Sequence, residues 1–147
     1  MSQEKYFGSH RFVFVNGVLW EDCVKWPDFK KDMQTVEVAN DEKYIFPVAT
    51  GMNKLEPLEF EFNRTKSPNS AHWKGEEWIA AGDERQVTVI ETDATADPFD
   101  PSCFVAVFDL GKCGIGPNNY PGGEKASPTA GKYVATILPR RIAYKLR

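Results

Sequence analysis

The sequence predicts a mainly β domain, an antiparallel β-sandwich or barrel flanked by one short helix. Three observations carry this expectation. Arg11 to Trp20 reads as two apolar runs around Asn16-Gly17, and Asn-Gly suits a type I′ hairpin turn, whose two central residues both need φ > 0. Leu58-Glu59-Phe60-Glu61-Phe62-Asn63 alternates apolar and polar residues, the pattern of a strand with one buried face. Only His72 to Gly82 has helical character, with Trp78 and Ile79 able to face a core and Gly82 placed to stop the helix.

In chain order, residues 1–10 read as a flexible N-terminal arm. Strands are expected at about 11–16 and 18–26, the second ending at Pro27. Residues 28–50 read as a long, polar loop holding a short strand candidate, Thr35 to Val38, and an edge segment, Tyr44 to Val48, because Pro47 cannot donate to a ladder. A strong strand follows over 55–63. Further strands are expected from Arg85 to Glu91, Cys103 to Asp109, Lys132 to Leu138 and Arg140 to Leu146. The segment Cys103 to Asp109 is apolar on both faces, as a central strand is. Residues 93–101 and 111–131 are rich in Pro, Gly and Asp and read as loops, and loops this long in a short domain point to contact functions.

Composition is consistent with one domain over 1–147. Hydrophobic residues make up 41% of the chain and aromatic residues 13%, enough to fill a core of this size. The net charge of -3 argues against a dedicated nucleic-acid binder. Met1-Ser2-Gln3-Glu4-Lys5 does not open a secretory signal, and no apolar run reaches the length of a membrane span.

The residues that carry chemistry elsewhere are sparse. His10 and His72 are the two histidines, and both read as surface residues. Glu76 and Glu77 are neighbours on a helix and point in different directions, a poor acid/base pair. Asp97, Asp100 and Asp109 do not follow a calcium-loop pattern. Cys23, Cys103 and Cys113 have no metal-site spacing. They read as three reduced thiols, with Cys103 a small core residue, or as candidates for an inter-subunit disulfide in an oxidising medium. Gly111-Lys112-Cys113-Gly114-Ile115-Gly116 matches neither a P-loop nor a dinucleotide fingerprint and leads into Pro117, which reads as turn rather than helix. No catalytic, metal or cofactor site is expected. Glu59 and Glu61 read either as the solvated outer face of a sheet or as a wall that repels phosphate.

The order of these features resembles the tail tube proteins of contractile-tailed phages. The likeness spans about 11–146. It rests on Val15-Asn16-Gly17, on Pro27-Asp28-Phe29, and on Gly51-Met52-Asn53-Lys54-Leu55-Glu56 running into the alternating strand. The Pro/Gly-rich 111–131 segment and the tryptophan content depart from that pattern. The resemblance implies a tail-tube-like domain and a non-enzymatic, structural virion protein. Six copies would form a ring whose strands join into an inner barrel, and rings would stack into a hollow tube that conducts DNA during ejection. Related tubes occur in phage-like bacteriocins and in type VI secretion. The implied partners are further copies of the chain, the tail sheath, the tape-measure protein, the baseplate and the tail terminator, with genomic DNA in transit and no membrane insertion. The implied location is the virion tail, assembled in the host cytoplasm.

On this view Glu59 and Glu61 face the lumen. Lys30, Lys31, Asp32, Asp41, Glu42 and Lys43 make inter-ring or inter-subunit contacts, and Arg141, Lys145 and Arg147 form an outer basic face. The competing reading is a β-sandwich that binds protein or carbohydrate, with Trp20, Trp26, Trp73 and Tyr120 as its platform. A hydrolase ranks last, for want of a credible triad.

Overall fold

The computed structural model describes residues 10–30, 32–39, 43–93, 97–123, 125 and 131–146. The first hairpin forms as its turn residues dictate. Strand β1 (His10–Val15) pairs antiparallel with β2 (Val18–Trp20), with Val15 opposite Val18. Asn16 and Gly17 take φ of 50° and 78° between them. His10 is the first residue of β1, opposite Thr92, and not part of a loose arm; residues 1–9 lie outside the described residues.

The expected strand over 18–26 is two strands. At Asp22 the backbone adopts φ 63°, and the chain leaves β2 to begin β3 (Cys23–Lys25). Those two strands stand at opposite ends of one antiparallel sheet. Its order is β2-β1-β7-β8-β9-β6-β3, with β6 (Leu58–Asn63), β7 (Arg85–Thr92), β8 (Phe104–Ile115) and β9 (Lys132–Leu138). A short β10 (Ala143–Leu146) pairs with β8. Because Glu21 and Asp22 alone join the two ends of the sheet, it curls into a nearly closed barrel, which shields most of its edges.

The core lies inside this curl. Leu58, Phe60 and Phe62 of β6 point in, as period 2 requires, and Phe60 and Phe62 are fully buried with Val87, Val89, Leu110, Tyr133 and Trp78. Helix α1 (Ala71–Ala81) packs on β6, β8 and β9. It drives Trp78 edge-on against Trp20, with ring centroids 6.0 Å apart, and Trp20 packs in turn on Phe62 at 5.8 Å. The helix ends where expected. Gly82 is left-handed at φ 66°, and its amide donates to the Trp78 carbonyl at 3.0 Å.

Strand β8 runs past its expected end at Asp109. Gly111, at φ 74°, bends it. Strand β7 pairs with it through the bend, from Thr92 opposite Phe104 to Arg85 opposite Cys113, while β10 pairs only before the bend and β9 only beyond it, where Gly114 and Ile115 meet Leu138 and Ile137. One strand thereby serves both halves of the barrel. The glycines read as loop signals instead permit this turn, and Cys113 between them is fully buried. The irregular segment therefore begins at Gly116 rather than at 111. It is tied down where Asn119 and Val134 exchange backbone hydrogen bonds at 3.0 and 2.8 Å.

The largest departure concerns residues 28–50. This segment is not a long loop. Strands β4 (Asp32–Ala39) and β5 (Ile45–Lys54) form a separate two-stranded antiparallel ribbon. Their register places Thr35 opposite Ala49, Val36 opposite Val48, Glu37 opposite Pro47 and Val38 opposite Phe46. Every side chain described in the ribbon is exposed. The alternation within Thr35 to Val38 and Tyr44 to Val48 is short in each run and broken by Pro47, so the two halves read as fragments within a loop until their pairing joins them.

Candidate functional site

The ribbon's two faces differ in chemistry. Cross-strand pairs share a face, so Val36 and Val48 lie beside Val38 and Phe46 on one side. These four residues are 38–51% exposed, which makes a contiguous apolar stripe that nothing in the described chain covers. The other side carries Thr35, Glu37, Ala39, Ile45, Pro47 and Ala49. Contiguous exposed apolar area on a small domain marks a contact surface. Sequence reading selected the charged residues of this segment and passed over the stripe. Its signal was the alternation of Val36-Glu37-Val38 and Phe46-Pro47-Val48, legible once the two runs are paired. Lys30 is exposed before β4, and Lys43 is exposed before β5 with φ 67°. Asp32 opens β4. Lys31, Asp41 and Glu42 lie outside the described residues.

Glu59 and Glu61 do project from the outer face of β6, opposite the buried Leu58, Phe60 and Phe62. Glu59 stands opposite Thr136 of β9, and Glu61 opposite Val134 of β9 and Lys25 of β3. Together with Trp26, Pro27 and Pro121 they line a shallow groove. The acidic strand therefore has a lysine opposite Glu61 and shares its groove with Trp26, Pro27 and Pro121, rather than being an uninterrupted negative wall.

Arg141 is already engaged within the chain. Asp109 accepts from Arg141 at 2.6 Å, from the Gln86 side chain at 2.6 Å and from the Gly111 amide at 2.9 Å. Burial pushes the Asp109 carboxyl up, but these three donors outweigh it and hold it below its ordinary range. Arg140 pairs with Glu84 in the same region. Arg141 thus serves as a brace between the β8 bend and the approach to β10, not as free positive charge. Ile142 is buried and Ala143 exposed, as alternation predicts. Lys145 lies in β10; its side chain, and Arg147, are outside the described residues.

The cysteines reverse the expected roles. Cys23 and Cys113 are buried at 4% and 0% exposure, while Cys103 is half-buried and next to the surface. Burial pushes the Cys23 thiol up to about 12 and the Cys113 thiol up to about 11. Neither is placed to reach a neighbouring molecule while the barrel is folded. Cys103 lies 3.6 Å from an Asp100 carboxylate oxygen in the turn before β8.

The aromatic platform of the competing reading is not assembled either. Trp20 is 2% exposed, and Trp26 packs against the core; only Trp73 and Tyr120 are open to solvent. Tyr120 donates to Glu76 at 2.6 Å, and the Arg64 guanidinium stands over its ring. Among the described residues no group of three His, Cys, Asp or Glu side chains is placed to hold a metal ion. Also among them, no helix is long and apolar enough to cross a membrane.

No protein-family model matches the chain, and no curated protein matches it. Solved structures do. A chain of the anti-feeding prophage cap, the AFP tube terminating cap, superposes with a TM-score of 0.78 at 10% identity, covering 100% of this chain and 95% of that one. A chain of the PVC sheath-tube complex of an extracellular contractile injection system gives 0.69 at 10% identity, over 93% and 88%. Hcp1 from Salmonella typhimurium gives 0.58 at 8% identity, over 95% and 87%. At such identities the shared property is the fold. The curled sheet, the flanking helix and the projecting ribbon together give this chain the tail-tube-like fold of contractile injection systems.

Proposed function

We propose that this protein is the structural subunit of a hollow tail tube, without enzymatic activity. Copies assemble into hexameric rings, and rings stack helically. The single observation that carries this reading is the β4–β5 ribbon, whose apolar stripe of Val36, Val38, Phe46 and Val48 has no cover within the described chain. An uncovered stripe on a ribbon whose edges are unpaired among the described residues is stable against another copy and is an aggregation hazard otherwise. Head-to-tail contact between copies closes into a ring when the rotation permits.

The fold likeness supports the reading. The neighbouring structures include a sheath-tube complex, a tube terminating cap and a baseplate described as 6-fold symmetrised. By analogy the partners here are a sheath, a terminator and a baseplate, with a tape-measure protein filling the tube during assembly and DNA passing later. The site of action is the virion tail, assembled in host cytoplasm. Lys30, Lys31, Asp32, Asp41, Glu42 and Lys43, neighbours of the stripe in sequence, set the register between copies or rings. Glu59 and Glu61 face the lumen, where repeated carboxylates keep phosphate moving. Cys103 is the thiol able to meet a partner's.

Purified protein imaged by negative stain, with size-exclusion chromatography over a wide concentration range, tests this. Rings or tubes are expected, and Val38→Asp with Phe46→Asp should yield a folded monomer. A wild-type protein that stays monomeric throughout, with no rings, overturns the reading.

A further inference from the structure

Ser70 is where three parts of the molecule meet. It stands at the N-cap position of α1, its side chain making no capping bond to the helix, and is fully buried. Its backbone bridges Glu21, at the β2–β3 corner that closes the barrel. Its hydroxyl oxygen accepts the Thr65 amide, just past the end of β6, at 3.1 Å. The same oxygen lies 2.8 Å from Nδ1 of His72.

A serine hydroxyl has one proton to donate and two lone pairs. One lone pair takes the Thr65 amide. Among the described residues, Nδ1 of His72 is the acceptor placed for the proton. The hydrogen-bond network thus assigns the neutral tautomer with hydrogen on Nε2. A proton added to His72 turns Nδ1 into a donor. Ser70 Oγ then faces two donors, and its own buried O–H has no acceptor, a costly arrangement.

We propose that Ser70 and His72 form a pH-sensitive latch that fastens the start of α1 to the segment following β6, engaged while His72 is neutral and released when it is protonated. The charged groups that act on the imidazole are Arg64, from the segment after β6, and Glu76, one turn along α1. Burial lowers the His72 pKa, Arg64 lowers it further, and Glu76 opposes both. Glu76 is itself hydrogen-bonded by Tyr120. The helix N-terminus also disfavours a cation at this position. A folded-state value below the ordinary 6.5 means that the latch contributes fully above pH 6.5 and is lost as pH falls through the folded value. This proposal is independent of the tube reading.

Hydrogen–deuterium exchange of the full chain tests it between about pH 7.5 and about pH 5, the range in which histidine titrates. After correction for intrinsic pH dependence, exchange at the Thr65 amide and in the first turn of α1 should rise roughly tenfold at the lower pH. His72→Asn offers a non-titrating oxygen near the position of Nδ1 and should keep these amides protected at both values. His10→Gln removes the other histidine and should leave the wild-type response intact. Independently of any variant, the midpoint of the exchange change should coincide with the His72 ring titration followed by NMR. The latch is overturned by pH-independent protection in the wild type, by a response that survives His72→Asn or disappears in His10→Gln, or by midpoints that do not coincide.

Discussion

Gly75 of α1 occupies a position that the Tyr133 hydroxyl of β9 leaves to no other residue: a Cβ at 75 would stand 1.8 Å from that oxygen and 2.7 Å from the ring carbon bearing it. The helix therefore approaches the barrel as closely as its backbone allows, and that approach lets Trp78 reach Trp20. Gly75→Ala gains about 1 kcal/mol of helix propensity. It must also displace a fully buried tyrosine, and overpacking of this kind costs about 1–3 kcal/mol or more. A net loss of stability is expected in urea denaturation. Tyr133→Phe in the same background should recover part of the loss, because it removes the nearer of the two clashing atoms.

Asp109 makes acid stability depend on the β8 bend. Its carboxyl is held below the ordinary 3.8, so its contribution is present above that pH and is lost as pH falls through the lowered value. Thermal melts from about pH 5 to about pH 2 should show a steeper decline for wild type than for Asp109→Asn. The variant should be less stable than wild type at neutral pH, where Arg141, Gln86 and the Gly111 amide lose a charged acceptor. Identical slopes for the two proteins would contradict this role.

Thiol labelling of the native protein near neutral pH should modify Cys103 alone. Cys23 and Cys113 are buried, with thiols raised to about 12 and about 11, and only a thiolate reacts appreciably. Denaturant should expose both, giving three labels in total. Prompt modification of Cys113 would mean that the barrel opens beside Gly111.

Glu59→Lys with Glu61→Lys should leave stability within about 0.5 kcal/mol of wild type, since neither side chain serves the core. Phe60→Ala, by contrast, should cost about 3–5 kcal/mol, because the ring is fully buried. If the acidic face lines a tube, the charge-reversed protein should still assemble while DNA ejection slows and becomes more sensitive to salt. Assembled rings with both glutamates outside the channel would remove the lumen role and leave the tube proposal intact.

Where a structural feature depends on neighbours along the chain, the sequence alone determined it. Asn16-Gly17 prescribes its turn, the alternation of 58–63 prescribes which side of β6 is buried, Gly82 ends α1, and Lys132 to Leu138 matches β9 at both ends. Each of these rests on backbone preference or on the two-residue period. What only the tertiary structure decided depends on pairing between distant segments. The run 18–26 looks continuous but breaks at Asp22, because its two halves complete opposite ends of one sheet. Gly111 reads as a loop glycine but lets one strand, paired with β7 as far as Cys113, pass from β10 to β9. The β4–β5 ribbon is exposed on both faces among the described residues, its alternation is short in each run, and its apolar stripe exists only because Val36 meets Val48 and Val38 meets Phe46. The same holds for Arg141, whose charge is compensated by Asp109, and for Ser70, whose bridge to the barrel corner depends on Glu21 arriving from far along the chain. Local preferences are written in adjacent residues; register, closure and charge pairing are set by contacts that form only when the sheet curls shut.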